Sequence, residues 1–111
     1  MNQGTPIFTH SVIATAALTA KRAVNAAGAV PAAAATCLGP VRTDGAIGDR
    51  VPVDMAGSAP WESGAAFTVG AYLELDASGR VITFSAGVKV GKALEAATAA
   101  GQFPEVFILQ N

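Results

Sequence analysis

The segment that decides the fold class is Tyr72–Phe84, which reads YLELDASGRVITF. Its first half alternates leucine with other side chains, and this period of two predicts a strand whose Leu73 and Leu75 face the core. The following DASG predicts a type I turn in which Gly79 takes a positive φ. Arg80–Phe84 then returns as the partner strand, so the segment predicts an antiparallel β-hairpin.

Other segments also predict strands. Ile7–Thr15 is rich in β-branched residues, and Arg50–Met55 alternates apolar and polar side chains. Pro52 cannot donate to a sheet, so it should lie at an edge or face solvent. Lys89–Leu94 and Glu105–Leu109 are predicted to form the last pair. The latter is apolar on both faces, which indicates a strand covered on both sides or buried at an interface.

The alanine-rich residues 14–37 favour a helix by composition, but their pattern opposes it. Gly28 and Pro31 interrupt the segment, and no apolar stripe repeats every 3.6 residues. The chain has 12 glycines and 6 prolines, which indicates many short elements joined by turns. Only residues 95–100, ending at Gly101, are predicted to form one helical turn. We therefore expect a mainly β protein.

Size and composition limit the architecture and the partners. The 111 residues allow one domain, predicted over residues 11–111 after a flexible N-terminal arm, residues 1–10. Bulky core residues are few, which favours self-association. The net charge of −1, with 14% charged residues, does not favour nucleic-acid binding. Residues 1–40 contain no acid, so they could lie against an acidic partner, although a stretch rich in alanine simply has few charges. No apolar run is long enough to predict a membrane span.

The residue types do not predict a catalytic or metal site. His10 is the only histidine and Cys37 the only cysteine, too few for a zinc site or a disulfide. Cys37 lies among small apolar residues, which predicts a buried, unreactive thiol. Glu74 and Asp76 share a strand face and are predicted to be ordinary solvated acids. We expect no enzyme activity, no cofactor and no small-molecule substrate.

Two single residues allow a functional interpretation. Lys89 lies between valines in a way that is similar to the modified lysine of small β carrier domains, but those domains have acids or methionine beside it. An exposed strand lysine is the favoured interpretation. Trp61 follows a turn-like segment and is a candidate interface anchor. A tryptophan folded back over the core explains it equally well.

Five stretches, taken together and in order, resemble a known family. They are ALTAKRAVN (17–25), AAGAV (26–30), CLGPVRTDGAIGDRVPVDMAG (37–57), GAYLELDASGRVITF (70–84) and VGKALEAATAAGQFPEVFIL (90–109). Over roughly residues 12–109 the chain resembles the phage capsid decoration, or cement, proteins of the DUF2190 family, similar in role to the lambdoid head decoration proteins. It departs from the family at Lys21 and Arg22, where glycine is frequent.

The resemblance implies a β-barrel or β-tulip domain that associates with itself, as a trimer or alternatively a dimer. It implies a structural virion protein, made in the host cytoplasm, that binds the major capsid protein on the outer surface of the head and stabilises the expanded shell. Within the arm, a capsid-bound added strand is expected from five residues: Pro6, Ile7, Phe8, Thr9 and His10. A first strand of the barrel over Ile7–Thr15 is the alternative. A carrier domain modified at Lys89, or a tail or baseplate component, are alternative functions.

Overall fold

The structure is a computed structural model and describes residues 5–109 and 111, with side chains from residue 8 onward. These residues form eight β-strands and no helix, which confirms the mainly β prediction. The strands are β1 (Thr5–Ile13), β2 (Ala23–Val24), β3 (Gly39–Pro40), β4 (Arg50–Pro60), β5 (Tyr72–Leu75), β6 (Val81–Thr83), β7 (Gly91–Ala93) and β8 (Glu105–Ile108). The helical turn predicted over residues 95–100 is wrong, because this stretch forms bends and a turn in which Gly101 has φ +84°.

Six of the strands form one sheet in the order β1-β4-β8-β7-β5-β6, and all their pairings are antiparallel. The short β2–β3 pair joins this sheet through a bridge between Val41 and Val53. Although β4 is internal, Pro52 lies outside the Ser58–Pro60 stretch that pairs with β8. The missing N–H of Pro52 therefore removes no hydrogen bond to β8.

The predicted hairpin is present as β5 and β6. Leu73 pairs with Thr83 and Leu75 with Val81, and both leucines are buried. The carboxylate of Asp76 accepts hydrogen bonds from the backbone N–H groups of Ser78 and Arg80, which closes the turn.

Two clusters of buried side chains form the core. The larger one lies under β5, β7, β8 and the end of β4 and contains Ala23, Cys37, Ala59, Trp61, Phe67, Leu73, Leu75, Val81, Val90, Ala93, Ala97, Val106 and Ile108. The smaller one lies under β1 and the start of β4 and contains Val12, Ala14, Leu18, Val24, Val41, Val51 and Val53. Residues 14–37 contribute to both clusters, so this alanine-rich stretch packs along the sheet as loops and β2.

Trp61 lies in the larger cluster and has no exposed surface. Its indole Nε1 donates a hydrogen bond of 3.1 Å to the carbonyl oxygen of Gly79 in the hairpin turn. Trp61 is therefore a core residue, and its interpretation as an interface anchor is wrong, because a completely buried ring offers no surface to a partner.

Candidate functional site

From Thr5 onward, the backbone of the predicted arm is part of β1. Thr5 pairs with Ser58, and the pairing continues, with irregularities on either side of Phe8, to Ile13 opposite Arg50. The strand thus runs across the predicted boundary at residue 10. Met1–Gly4 lie outside the described residues. The mobile state of the arm, the boundary at residue 10 and the part of the arm in capsid binding stay predictions.

Three of the predicted arm contacts have described side chains, and all three are exposed: Phe8, Thr9 and His10. Phe8 keeps 54% of its surface accessible. The hydroxyl of Thr9 donates to Oδ1 of Asp54 at 3.1 Å, and Arg42 Nε contacts the same oxygen at 2.7 Å. Because β1 stands at one end of the sheet order, it offers one unpaired backbone edge among the described strands.

A second exposed surface crosses the opposite half of the sheet. Tyr72 on β5 lies opposite Lys92 on β7, which in turn lies opposite Phe107 on β8. Directly opposed residues of antiparallel strands project from the same face, so these three side chains form one row. Tyr72 and Phe107 are 43% and 44% exposed. Together with Phe84 and Lys89, this row forms the aromatic–lysine face.

Lys89 and Phe84 extend this row beyond the strands. The Nζ of Lys89 lies 4.3 Å from the ring centre of Tyr72 and 5.1 Å from that of Phe84. The Nζ of Lys92 lies 5.5 Å from the Tyr72 ring centre. These distances are those of cation–π interactions, in which the ring attracts the ammonium group. Lys89 lies outside the strands, just before β7, and is exposed.

Glu74 fixes the loop that carries this arrangement. Its Oε1 accepts hydrogen bonds from the backbone N–H groups of Ser85 at 2.8 Å and Gly87 at 3.0 Å. These bonds lower the pKa of Glu74, Ser85 contributing most, because they favour the ionised carboxylate. Glu74 is only 8% exposed, so its interpretation as a solvated acid is wrong. Its carboxylate is hydrogen-bonded to the backbone of the loop between β6 and β7.

Cys37 and His10, the two residues that the sequence offered for nucleophilic or metal chemistry, have different surroundings. Cys37 is buried, as predicted, and burial raises the pKa of its thiol to about 12, which keeps it protonated at neutral pH. His10 is exposed on β1. Within residues 5–109 and 111, no group of three or more His, Cys, Asp or Glu could hold a metal ion. The same residues contain no helix suited by length and apolarity to cross a membrane.

The aromatic–lysine face was not predicted from the sequence. One signal was available, since Glu105–Leu109 is apolar on both faces: Val106 and Ile108 are buried, whereas Phe107 faces outward. The other members could not be found, because Tyr72 and Phe84, at the two ends of the hairpin segment, and the later Lys89 and Lys92 meet Phe107 only when β5, β7 and β8 pair.

Comparison with known proteins places this fold. The sequence model of the family described as phage cement protein matches residues 1–109. Among solved structures, the fold is similar to the head fiber gp8.5 N base of bacteriophage phi29, with a TM-score of 0.75 and 20% sequence identity over 94% of this chain and 98% of that chain. No curated protein matches the sequence. Because the family match spans nearly the whole chain, the protein belongs to the phage cement protein family and is a structural protein of the phage virion associated with the capsid.

Proposed function

We propose that the protein binds the major capsid protein on the outer surface of the phage head and stabilises the expanded shell, without catalysing a reaction. The observation that carries this proposal is the family match over residues 1–109. A protein that binds the assembled lattice more tightly than free subunits stabilises the lattice by mass action. Such a role requires exposed contact surfaces and needs no catalytic pocket.

The exposed apolar side chains support this role. Phe8, Tyr72 and Phe107 each leave over two fifths of their surface accessible, and a small domain gains by covering such groups against a partner. Each contact can be weak, because many copies on one shell bind with a multivalent advantage.

We further propose that the N-terminal arm, residues 1–10, contributes to the contact through Pro6, Ile7, Phe8, Thr9 and His10. The unpaired edge of β1 could add a strand to a neighbouring protein, since backbone groups at a sheet edge pair readily. Deletion of residues 2–9 should leave the fold intact, because Val12 and the core beneath it remain. The deletion should weaken binding to heads by at least about tenfold. An unfolded deletion variant would assign the segment to the core, and unchanged binding would exclude the arm from the contact.

The protein is also proposed to form a homotrimer, with a dimer as the alternative. Heads offer many threefold and quasi-threefold positions, and a domain with few bulky core residues gains stability from association. Light scattering over a range of concentrations measures the assembly directly. A monomer at high concentration would contradict self-association. It would not contradict capsid binding, which is tested separately.

Co-sedimentation with purified heads tests the main proposal. Expanded heads should pellet the protein and resist heat better with it than without it, and unexpanded heads should bind it less. Failure to bind both kinds of head would overturn the proposal.

Electron microscopy of labelled protein on intact virions should place it on the head, whereas label on the tail would favour a tail or baseplate component. The carrier alternative requires a modified Lys89, and an intact mass equal to that of the unmodified chain would exclude it.

A further inference from the structure

We propose that the aromatic–lysine face, formed by Tyr72, Phe84, Lys89, Lys92 and Phe107, is a capsid-binding surface whose occupant is a carboxylate-bearing patch of the major capsid protein. This inference rests on the proposed function and deepens it, because it names the contact surface and the chemistry of the partner. The face is separate from the N-terminal arm.

The surrounding backbone holds Lys89 in place. On one side of it, the N–H of Val88 donates to the carbonyl oxygen of Ala34 at 3.2 Å, and on the other the N–H of Val90 donates to that of Leu73 at 2.9 Å. The Glu74 carboxylate holds the preceding loop. A lysine side chain ordinarily loses considerable rotamer freedom on binding. Here the stacking on two rings restricts it beforehand, so less freedom remains to be lost.

The two lysine charges are available to a partner. The ion pairs formed by the described residues all use arginines, namely Arg22, Arg42 and Arg80. The carboxylates of Glu74 and Glu105 accept hydrogen bonds from other donors: Glu74 accepts backbone N–H groups, and Glu105 accepts the Ser58 hydroxyl. Lys89 and Lys92 therefore present positive charge next to exposed aromatic rings. This combination fits a partner surface on which carboxylates border apolar side chains.

The charge distribution favours an acidic partner over a second copy of this chain. In a twofold contact through this face, the lysines of both copies would approach one another across the interface. Like charges brought together in this way oppose association. The row of Tyr72, Lys92 and Phe107 spans three neighbouring strands, or about 10 Å at the usual strand spacing. A contact of this size is small, and it suffices when many copies bind one shell.

The test compares the Lys89→Gln/Lys92→Gln double variant with Lys21→Gln. Lys21 is a matched control, because its Nζ also lies over an aromatic ring, that of Phe103, at 5.5 Å. Each protein is sedimented with purified expanded heads at several salt concentrations above and below about 0.15 M. We expect the double variant to bind at least about tenfold more weakly than wild type, with a flatter salt dependence, and Lys21→Gln to bind like wild type. Phe107→Ala should weaken binding with the salt dependence unchanged.

The outcomes separate this inference from the proposed function. If wild type binds no heads, the proposed function fails and this inference with it. If wild type binds and the double variant binds equally well with the same salt dependence, only the face is excluded. Loss of binding by Lys21→Gln alone would place the contact on the acid-free residues 1–40 and overturn the inference. Light scattering completes the test: an unchanged assembly in the double variant supports a capsid contact, and a changed one would make the face a contact between copies.

Discussion

The hydroxyl of Thr9 donates a hydrogen bond of 3.1 Å to Oδ1 of Asp54, and this contact links the predicted arm to the neighbouring strand β4. Asp54 is buried, and the same Oδ1 also accepts a hydrogen bond from Nε of Arg42, so two donors hold this carboxylate. The arm segment of β1 is therefore held by a side-chain contact as well as by its backbone pairing. How firmly it is held can be measured.

Thr9→Val should loosen the start of β1. The substitution keeps the shape of the side chain and removes the donor, so the free energy of unfolding should fall by about 0.5–1.5 kcal/mol. Amide hydrogens of residues 5–10 should exchange faster, while those of β5 and β8 should be unaffected. Ser11→Ala is the control, because Ser11 is an exposed neighbour on the same strand. Equal exchange in Thr9→Val and wild type would show that the hydroxyl does not hold the arm.

Gly28 should tolerate alanine far less well than Gly48. Both have a positive φ, of +86° and +93°, so alanine is strained at each by about 1–2 kcal/mol. A Cβ on Gly28 would lie 2.1 Å from the carbonyl oxygen of Ile13, whereas a Cβ on Gly48 would meet nothing within 4 Å. Gly28→Ala should therefore lower the free energy of unfolding, measured in urea, by about 1–3 kcal/mol more than Gly48→Ala does. Equal losses would mean that the loop at Gly28 can move away from β1 freely.

Glu74→Gln should destabilise the protein in a pH-dependent way. Folding lowers the pKa of Glu74 from its ordinary 4.5, so the unfolded state binds more protons as pH falls. The stabilisation by the ionised Glu74 carboxylate is fully present at pH values above its ordinary pKa. It is lost as the pH falls through the lower pKa of the folded state. The variant should thus be less stable than wild type at pH 7, and the difference should shrink in acid. Chemical unfolding of wild type and variant at several pH values measures this difference in stability. A difference that stays constant with pH would contradict the prediction.

Cys37 should be unreactive in the folded protein. Its pKa of about 12 leaves almost no thiolate at pH 8, and burial blocks access to the sulfur. A thiol reagent should react slowly with native protein and rapidly after denaturation. Since folding raises the pKa from about 9, the thiol should favour folding below that pH, and this effect should be lost between about 9 and 12. The stability advantage of wild type over Cys37→Ala should narrow across that range, and prompt reaction of native protein would contradict the burial.

Local sequence determined the elements that depend only on neighbouring residues. The β5–β6 hairpin follows from the alternation around Leu73 and Leu75 and from the turn that Gly79 completes, so it was predictable without knowledge of the rest of the chain. Other local signals predicted further strands: alternation over Arg50–Met55 for β4, β-branched residues over Ile7–Thr15 for β1, and the apolar run Glu105–Leu109 for β8. The family resemblance came from the order of such short motifs along the chain.

Tertiary structure alone decided what each side chain meets. By sequence alone, Trp61 suits the surface and the core equally well. The tertiary structure places it in the core, where its Nε1 lies 3.1 Å from the carbonyl oxygen of Gly79. Glu74 has the alternation of a solvent-facing acid, and its burial arises because the loop at Ser85 folds back onto it. The row of Tyr72, Lys92 and Phe107 exists because β7 lies between β5 and β8. Period and turn chemistry act between residues a few positions apart, whereas strand order depends on the free energy of burying the whole core, which no single segment encodes.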